Sequence, residues 1–315
     1  MGEITPKIEF DILIDETFEK LVSSGIEQDY KNNNVLSLLN DFEDGKWRFN
    51  KFQEFIWNNI AETALSYRER EALIDKNQTT LIEAAKKLRL IDSQKNQNNQ
   101  GSELAEIVLY GVMKHHYKAL PVVPKIFYKQ NSQDNAKGAD SVHIVLKGSD
   151  DFTIWFGEAK FYNSIEDDRL NEIISSVESS LNTNKIQKEN SIITNVSDLD
   201  NYLKEDSEIS KKIKEFLATE KSIDQLKPKL HIPILLIHEC GITYNQKEIS
   251  EEYKKKLIDF QVNRVSSYFK KQIKKLSKKV FKYSEINFHV ILFPVPEKKP
   301  IIDKFVENVE HYKKQ

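Results

Sequence analysis

The chain has 315 residues, a length that predicts one large or two modest domains. Its 47 Lys and Arg residues and 49 Asp and Glu residues give a net charge of −2, which excludes a global attraction to nucleic acid. Cys240, the only cysteine, excludes an internal disulfide and fits a reducing compartment. The N-terminus lacks the basic and apolar segments of a signal peptide and no apolar run reaches the roughly twenty residues of a membrane span, so we expect a cytoplasmic protein without membrane contact.

The segment before position 96 is predicted to be a mostly helical N-terminal region. Its predicted elements are a short strand at 8–14 and helices at 35–39, 47–73 and 80–90. Residues 92–100 are polar throughout and lack an apolar anchor, which is typical of a linker. We therefore predict a domain boundary there, with residues 1–95 capping the core or contacting a partner protein, and residues 96–315 forming a second domain.

A helix is predicted to begin at Gly101-Ser102 and to continue to Tyr110. Its mostly apolar composition indicates that it is buried against a sheet. Glu103 and Glu106 are three residues apart and so occupy neighbouring positions on the helix surface. The helix dipole stabilises a glutamate in the first turn, which explains Glu103 without a functional role; Glu106 lies one turn deeper and lacks that explanation.

Two strands joined by a turn carry the strongest chemical signal. Residues 141–146 and 152–155 are rich in β-branched and aromatic side chains, and residues 147–151 are turn formers. If those five residues are the loop, the antiparallel ladder extended to its open end pairs Asp140 with Glu158. The sequence thus predicts that two carboxylates meet at the open end of a hairpin.

Asp140, Glu158 and Lys160 fall on one face of this hairpin, because side chains alternate with a period of two. His143 falls on the other face, where it either packs or supports a metal ligand without contacting the metal. The face with the three charges is otherwise apolar, so the charges need partners. Two carboxylates suit Mg²⁺ or Mn²⁺, and an amine beside them can orient or deprotonate a water or stabilise a phosphoryl transition state. The same spacing also fits a half-exposed hairpin whose end charges simply pair with one another.

An Asp on one strand and Glu158-Ala159-Lys160 on the next resemble the PD-(D/E)xK nuclease superfamily, although Ala139 stands where its motif has proline. The resemblance implies that Asp140 and Glu158 bind the metal and that Lys160 assists the attacking water. It also implies a third acid on the helix before the hairpin. Glu106 is our preferred third acid, and Glu103 is the alternative.

The rest of the chain is predicted to complete an α/β core. The predicted elements are a helix at 167–181, a charged insertion at 182–229 with a helical patch at 203–217, and strands at 231–238 and 286–293. The last two strands are continuous apolar runs, which predict buried, parallel positions. We therefore predict a restriction-endonuclease-like core of four to five mixed strands flanked by helices.

A helix between the last two strands is predicted to carry a lysine-rich surface, with Phe269, Ile273, Leu276 and Val280 on its other side. Its lysines are Lys270, Lys271, Lys274, Lys275, Lys278, Lys279 and Lys282. Such a surface can bind the phosphates of DNA with a steep salt dependence, or it can simply be solvated. The run at 254–256 has the same two interpretations.

Several segments together resemble the HamA family, the nuclease subunit of the Hachiman anti-phage defence system. They are Glu103–Tyr110, Pro124–Lys129, Gly138–His143, Gly157–Tyr162 and His289–Pro296. The resemblance runs from Gly101 to the end of the chain. It implies an effector subunit that cleaves DNA with Mg²⁺ or Mn²⁺ and that a superfamily-two helicase, a HamB-like partner, restrains until aberrant DNA is sensed.

The leading hypothesis is therefore a metal-dependent DNA endonuclease. The competing class is a non-catalytic DNA-binding or regulatory subunit that keeps a nuclease fold, and cleavage of RNA also fits the motif. The sequence has no Gly-rich phosphate-binding loop followed by Lys-Ser or Lys-Thr, so any ATP hydrolysis in this system is expected of another subunit.

Overall fold

The computed structural model describes residues 7–22, 31–90, 101–128, 139–195, 198–203, 207–218 and 222–315. The strands are β1 (Asp11–Thr17), β2 (Asn33–Leu39), β3 (Phe42–Glu43), β4 (Lys46–Trp47), β5 (Leu120–Val123), β6 (Ser141–Lys147), β7 (Asp151–Tyr162), β8 (Leu230–Glu239) and β9 (Asn287–Val295). The helices are α1 (Phe18–Leu21), α2 (Phe49–Ala64), α3 (Tyr67–Ala72), α4 (Asn77–Lys87), α5 (Ser102–His115), α6 (Lys125–Tyr128), α7 (Asp167–Ser180), α8 (Thr183–Asn195), α9 (Asp198–Leu203), α10 (Glu208–Leu217), α11 (Ile223–Leu226), α12 (Gly241–Tyr244), α13 (Glu251–Leu276) and α14 (Lys298–Lys313). None of these described helices combines the length and the apolarity that a bilayer crossing requires.

A mixed sheet of seven strands forms the centre of the protein, in the order β1-β2-β9-β8-β7-β6-β5. β2, β9, β8 and β7 are parallel neighbours, which confirms the parallel placement predicted for the last two strands. β1, β6 and β5 run antiparallel to their neighbours. The α/β class is confirmed, but the expected four to five strands are too few, because the N-terminal region supplies β1 and β2 to this sheet.

The segment 35–39, which the apolar spacing predicted to be helical, is a strand in β2. It pairs with β9 so that Val35 lies opposite Val290 and Leu36 lies opposite Ile291. A short apolar run fits a helix or a buried strand equally well, and here a partner far along the chain decides between them. The prediction of a helix at 35–39 was therefore wrong. The described part of the N-terminal region combines strands β1 to β4 with helices α1 to α4, so the expectation of a mostly helical region is not confirmed.

The sheet has a hydrophobic core on each face, because successive residues of a strand point to opposite sides. Along β7, Ile154 and Phe156 join the core that α7, α8 and α13 cover. Trp155 and Ala159 join the other core, which α2, α5 and α14 cover. Residues of β7 at even positions therefore face α7, and residues at odd positions face α5.

Helices appear close to most of the other predicted positions. α2 and α3 fall within 47–73, and α7 matches 167–181 to within a residue. Within 182–229 the described helices pack Ile186, Leu199 and Ile213 into the first core. The predicted linker and domain boundary lie outside the described residues.

Candidate metal and nucleic-acid site

The hairpin of β6 and β7 has the predicted register. Leu146 pairs with Phe152, and Ser141 pairs with Gly157 as the outermost pair of the ladder. The backbone N–H of Asp140 donates to the carbonyl of Gly157 at 2.8 Å, the residue that already lies opposite Ser141, so the pairing shifts by one residue at the open end of the hairpin. The turn is closed by Gly148 at a φ of +76°, a conformation that favours glycine.

Lys160 brings the two carboxylates together. Its Nζ lies 3.3 Å from Oδ2 of Asp140 and 3.5 Å from Oε2 of Glu158. The same Asp140 oxygen accepts a hydrogen bond from the backbone N–H of Ala159 at 3.1 Å. The side chain of Lys160 is 30% exposed, against 16% for Asp140 and 6% for Glu158, so the carboxylates lie beneath an amine that solvent reaches.

Ser176 of α7 holds the buried carboxylate of Glu158. Its hydroxyl donates to Oε2 at 2.6 Å. Burial, and after it the charge of Asp140, raises the pKa of Glu158. Burial lowers the pKa of Lys160, but the charges of Asp140 and Glu158 outweigh burial and raise it overall, so this amine is protonated at neutral pH. In this arrangement Lys160 supplies a positive charge rather than a base.

The two candidate third acids lie on α5 in different settings. Glu103 accepts backbone hydrogen bonds from Arg89 and Leu90, both at 2.9 Å, and so fixes the segment after α4. Glu106 is 3% exposed, and the Ser102 hydroxyl lies 3.4 Å from its Oε1. α5 packs on the odd face of β7, opposite the face with Glu158. Within the described ranges, no group of three or more His, Cys, Asp or Glu side chains is arranged to bind a metal.

Close packing fixes the position of α5 against the hairpin. A Cβ at Gly157 would collide with Ser141 Oγ and with Leu109 Cδ2, so any larger residue would force these side chains to move. On the same face, His143 is fully buried with its ring 4.9 Å from that of Tyr110, and burial lowers its pKa to about 3. His143 therefore packs the helix against the sheet on the side away from the carboxylates.

The donor set of Asp140 and Glu158 fits a hard divalent cation. Both groups are carboxylates, and their placement around one ammonium shows that the pocket accommodates a positive charge. Mg²⁺ usually keeps several waters and takes one or two protein carboxylates, so two such ligands suffice.

A buried ion pair next to the motif was missed by the sequence reasoning. Lys125 of α6 contacts both carboxylate oxygens of Glu189 in α8, at 2.8 and 2.6 Å. Oε1 of Glu189 also accepts the backbone N–H of Ala139 at 3.0 Å. Lys125 lies in the Pro124–Lys129 segment of the family resemblance but had no role assigned to it, and Glu189 lies outside every such segment. Ser176 lies on a helix whose orientation the sequence does not reveal.

The lysine-rich surface differs from the prediction at its end. α13 stops at Leu276, so Lys278 and Lys279 lie in the turn that follows it rather than on the helix. Ser250 caps the start of α13 by accepting the N–H of Tyr253. Phe269 and Leu276 are fully buried, as the apolar side of the predicted pattern requires.

Three of the seven candidate lysines are paired with α7. Lys271 lies 3.0 Å from Asp167, while Lys275 and Lys279 lie 3.2 and 2.7 Å from Glu178. The exposed members are Lys270, Lys274 and Lys278, together with the paired Lys279. Lys275 also donates to Ser175 at 2.7 Å, the residue before Ser176, so the lysines flank the helix that holds Glu158.

The fold and the site define a class: an α/β protein with a mixed sheet of seven strands and an Asp-Lys-Glu cluster at the open end of a hairpin. The family model described as HamA matches residues 15–309, and the chain therefore belongs to the HamA family. This membership indicates a role in Hachiman defence. No curated protein matches the chain.

Proposed function

We propose that this HamA-family chain is a metal-dependent DNA endonuclease of the PD-(D/E)xK type and the effector of its defence system. The observation that carries the proposal is the cluster in which Lys160 lies within 3.5 Å of both Asp140 and Glu158. Bringing two buried carboxylates together costs free energy, so a cluster of this kind calls for a function that explains it. A shared Mg²⁺ or Mn²⁺ site gives one.

Asp140 and Glu158 are the proposed metal ligands. When bound, the metal would lower the pKa of a water and polarise the scissile phosphate. The N–H of Ala159 and the hydroxyl of Ser176 hold the two carboxylates in place. Lys160 would place its positive charge beside the phosphoryl oxygens, which carry the negative charge of the transition state as water attacks the phosphorus in line and the opposite P–O bond breaks.

Glu106 is the proposed third acid on the family resemblance alone, since α5 carries it on the face of β7 opposite Glu158 and the described residues show no third ligand beside Asp140 and Glu158. It is the buried glutamate of α5, whereas Glu103 uses its carboxylate to hold backbone N–H groups. Glu106→Gln should weaken Mn²⁺ binding and DNA cleavage, while Glu103→Gln should leave both unchanged and loosen only the segment after α4. Equal metal affinity in both variants and the wild type would remove Glu106 from the site.

The DNA interface is proposed on the lysines that flank α7. Lys270, Lys274 and Lys278 are exposed next to the paired Lys271, Lys275 and Lys279, and their amines can neutralise phosphates in spite of the net charge of −2. A superfamily-two helicase of the HamB type is the proposed partner that restrains cleavage, by virtue of family membership alone.

The test is cleavage of plasmid DNA by the purified chain, free of any partner, in Mg²⁺ or Mn²⁺. Wild type should cut, and Glu158→Ala/Lys160→Ala should fold normally and not cut. Intact plasmid with wild type over a wide range of metal and protein concentration would exclude the nuclease proposal. Competing single-stranded DNA, duplex DNA and RNA would identify the substrate.

The alternative proposal is a non-catalytic DNA-binding or regulatory subunit. It is favoured by one observation: in the parts of the chain that the structure describes, no third metal-ligating side chain joins Asp140 and Glu158. This alternative predicts salt-sensitive DNA binding without metal-dependent turnover, which the same plasmid experiment distinguishes.

A further inference from the structure

The Glu189–Lys125 pair is buried against the first residue of the metal motif. Lys125 is 1% exposed and Glu189 is 3% exposed. The pair joins α6, which follows β5, to α8. Through Oε1, Glu189 also accepts the N–H of Ala139 at 3.0 Å, directly before Asp140.

Ala139 needs this hydrogen bond because of where it lies. It is 2% exposed, and a buried backbone N–H must find a partner. β6 begins only at Ser141, so the sheet ladder ends before Ala139. The carboxylate of Glu189 replaces the missing strand partner at this position.

Asp140 is thereby held from several directions. Its own N–H is bound by the carbonyl of Gly157 at 2.8 Å, and its carboxylate is bound by the N–H of Ala159 at 3.1 Å. The Glu189 contact fixes the preceding peptide. Without it, the backbone could rotate at the end of the ladder and carry the Asp140 carboxylate away from Glu158.

We propose that Glu189, supported by Lys125, is a positioning residue that fixes the Ala139–Asp140 backbone so that the Asp140 carboxylate stays beside Glu158. The proposal rests on the proposed metal function of Asp140. It assigns a role in that site to α8, a helix in the segment that the sequence presents only as a charged insertion.

The energetics of buried ion pairs allow a matched test. Replacing both members by apolar groups of similar size is often neutral for stability, whereas removing one member leaves an uncompensated charge. Lys125→Met/Glu189→Gln and Lys125→Met/Glu189→Leu both remove the ion pair. Only the glutamine variant keeps an oxygen that accepts the N–H of Ala139.

The experiment measures Mn²⁺ binding and plasmid cleavage for wild type and both double variants, with circular dichroism and thermal unfolding as folding controls. The leucine variant should bind Mn²⁺ about tenfold or more weakly and lose a similar factor in turnover, as outer-shell changes around a metal typically do. The glutamine variant should stay within about twofold of wild type, since it keeps the acceptor. A purely structural role would change thermal stability without separating the two variants in metal affinity.

Equal Mn²⁺ affinity in the two folded double variants would overturn the positioning role. If the leucine variant does not fold, the single variant Glu189→Gln is measured instead, because it keeps an oxygen that accepts the N–H of Ala139. Mn²⁺ affinity near that of wild type, despite reduced thermal stability, supports the proposal. A tenfold loss of Mn²⁺ affinity in folded Glu189→Gln protein contradicts it. Wild-type protein that neither binds Mn²⁺ nor cleaves DNA would instead overturn the proposed function.

Discussion

The ammonium of Lys160 lies 3.3 Å from Oδ2 of Asp140, although the two residues are 20 positions apart in the sequence. This contact, and the one at 3.5 Å to Glu158, place a cation between two carboxylates at the end of a hairpin. In the bound state proposed for the enzyme, the metal would share these carboxylates with Lys160. The ligand and charge-stabilising roles can therefore be separated by changing Lys160 alone.

Lys160→Met should reduce DNA cleavage by at least about 100-fold, which is the usual loss when one transition-state stabilising group is removed. Mn²⁺ affinity should be unchanged or higher, because a competing cation is gone. Single-turnover cleavage and Mn²⁺ titration measure the two effects. Lys299→Met, at a side chain that is 83% exposed on α14, is the control. Unchanged cleavage in Lys160→Met would refute its role.

Ser176→Ala should slow cleavage by about tenfold, because hydrogen bonds to charged groups contribute about 1.5–3 kcal/mol. The hydroxyl bond to Glu158 is 2.6 Å long, and its loss frees a buried carboxylate to turn away from Asp140. Ser175→Ala is the matched control, since Ser175 faces Lys275 instead. Cleavage rates of the two variants are compared at saturating metal. Equal rates would show that the Ser176 contact does not orient Glu158.

The exposed lysines beside α7 should set the salt dependence of DNA binding. Lys270→Gln/Lys274→Gln should lower the slope of log K against log salt by about 2, since each phosphate contact contributes about 0.9. Lys299→Gln/Lys304→Gln removes the same charge from α14 and should leave the slope unchanged. Binding of duplex DNA at several salt concentrations measures both slopes. If the two double variants had equal slopes, the interface would not lie beside α7.

Buried histidines should destabilise the protein in acid. Burial lowers the pKa of His143 to about 3 and that of His238 to about 4, from an ordinary value of 6.5. Both side chains are neutral in the folded protein and take up a proton when it unfolds in acid. The free energy of unfolding is therefore highest above pH 6.5, as far as these two groups affect it, and falls as the pH drops from 6.5 toward 4. Each contributes a slope of about 1.4 kcal/mol per pH unit in that window.

His143→Leu removes one of the two side chains that take up a proton when the protein unfolds in acid. Compared with wild type, it should lose less stability between pH 7 and pH 5, as measured by urea unfolding at each pH. The ring of His143 packs on Tyr110 rather than in the charged cluster, so cleavage at neutral pH should change little. An identical pH slope in variant and wild type would mean that His143 is already protonated in the folded state.

Local patterns were enough to predict the hairpin and its charges. The turn residues and the period of two predict the hairpin register, which the structure has from Ser141–Gly157 inward, and Lys160 contacts both Asp140 and Glu158 at the open end. The apolar runs of β8 and β9 were long enough to be recognised as buried parallel strands. In each case the decisive information lies within a segment of about twenty residues or fewer, over which strand periodicity and turn residues can be recognised.

Contacts between distant parts of the chain could not be predicted from the sequence. Segment 35–39 is a strand between β1 and β9, and β9 lies more than two hundred residues later in the sequence. The Lys125–Glu189 pair joins positions 64 apart, and nothing in its residue types distinguishes it from the many surface charges. α13 ends at Leu276 although lysines continue at helical spacing, because spacing does not determine where a helix stops.

The central claim is that Asp140 and Glu158 bind one metal ion. A crystal structure of the protein with Mn²⁺ tests it most directly, with Glu158→Ala as the control. We expect a single ion with oxygens of both carboxylates within about 2.5 Å, and no ion at that position in the variant. An empty site in the presence of saturating Mn²⁺, or an ion that contacts neither carboxylate, would contradict the account.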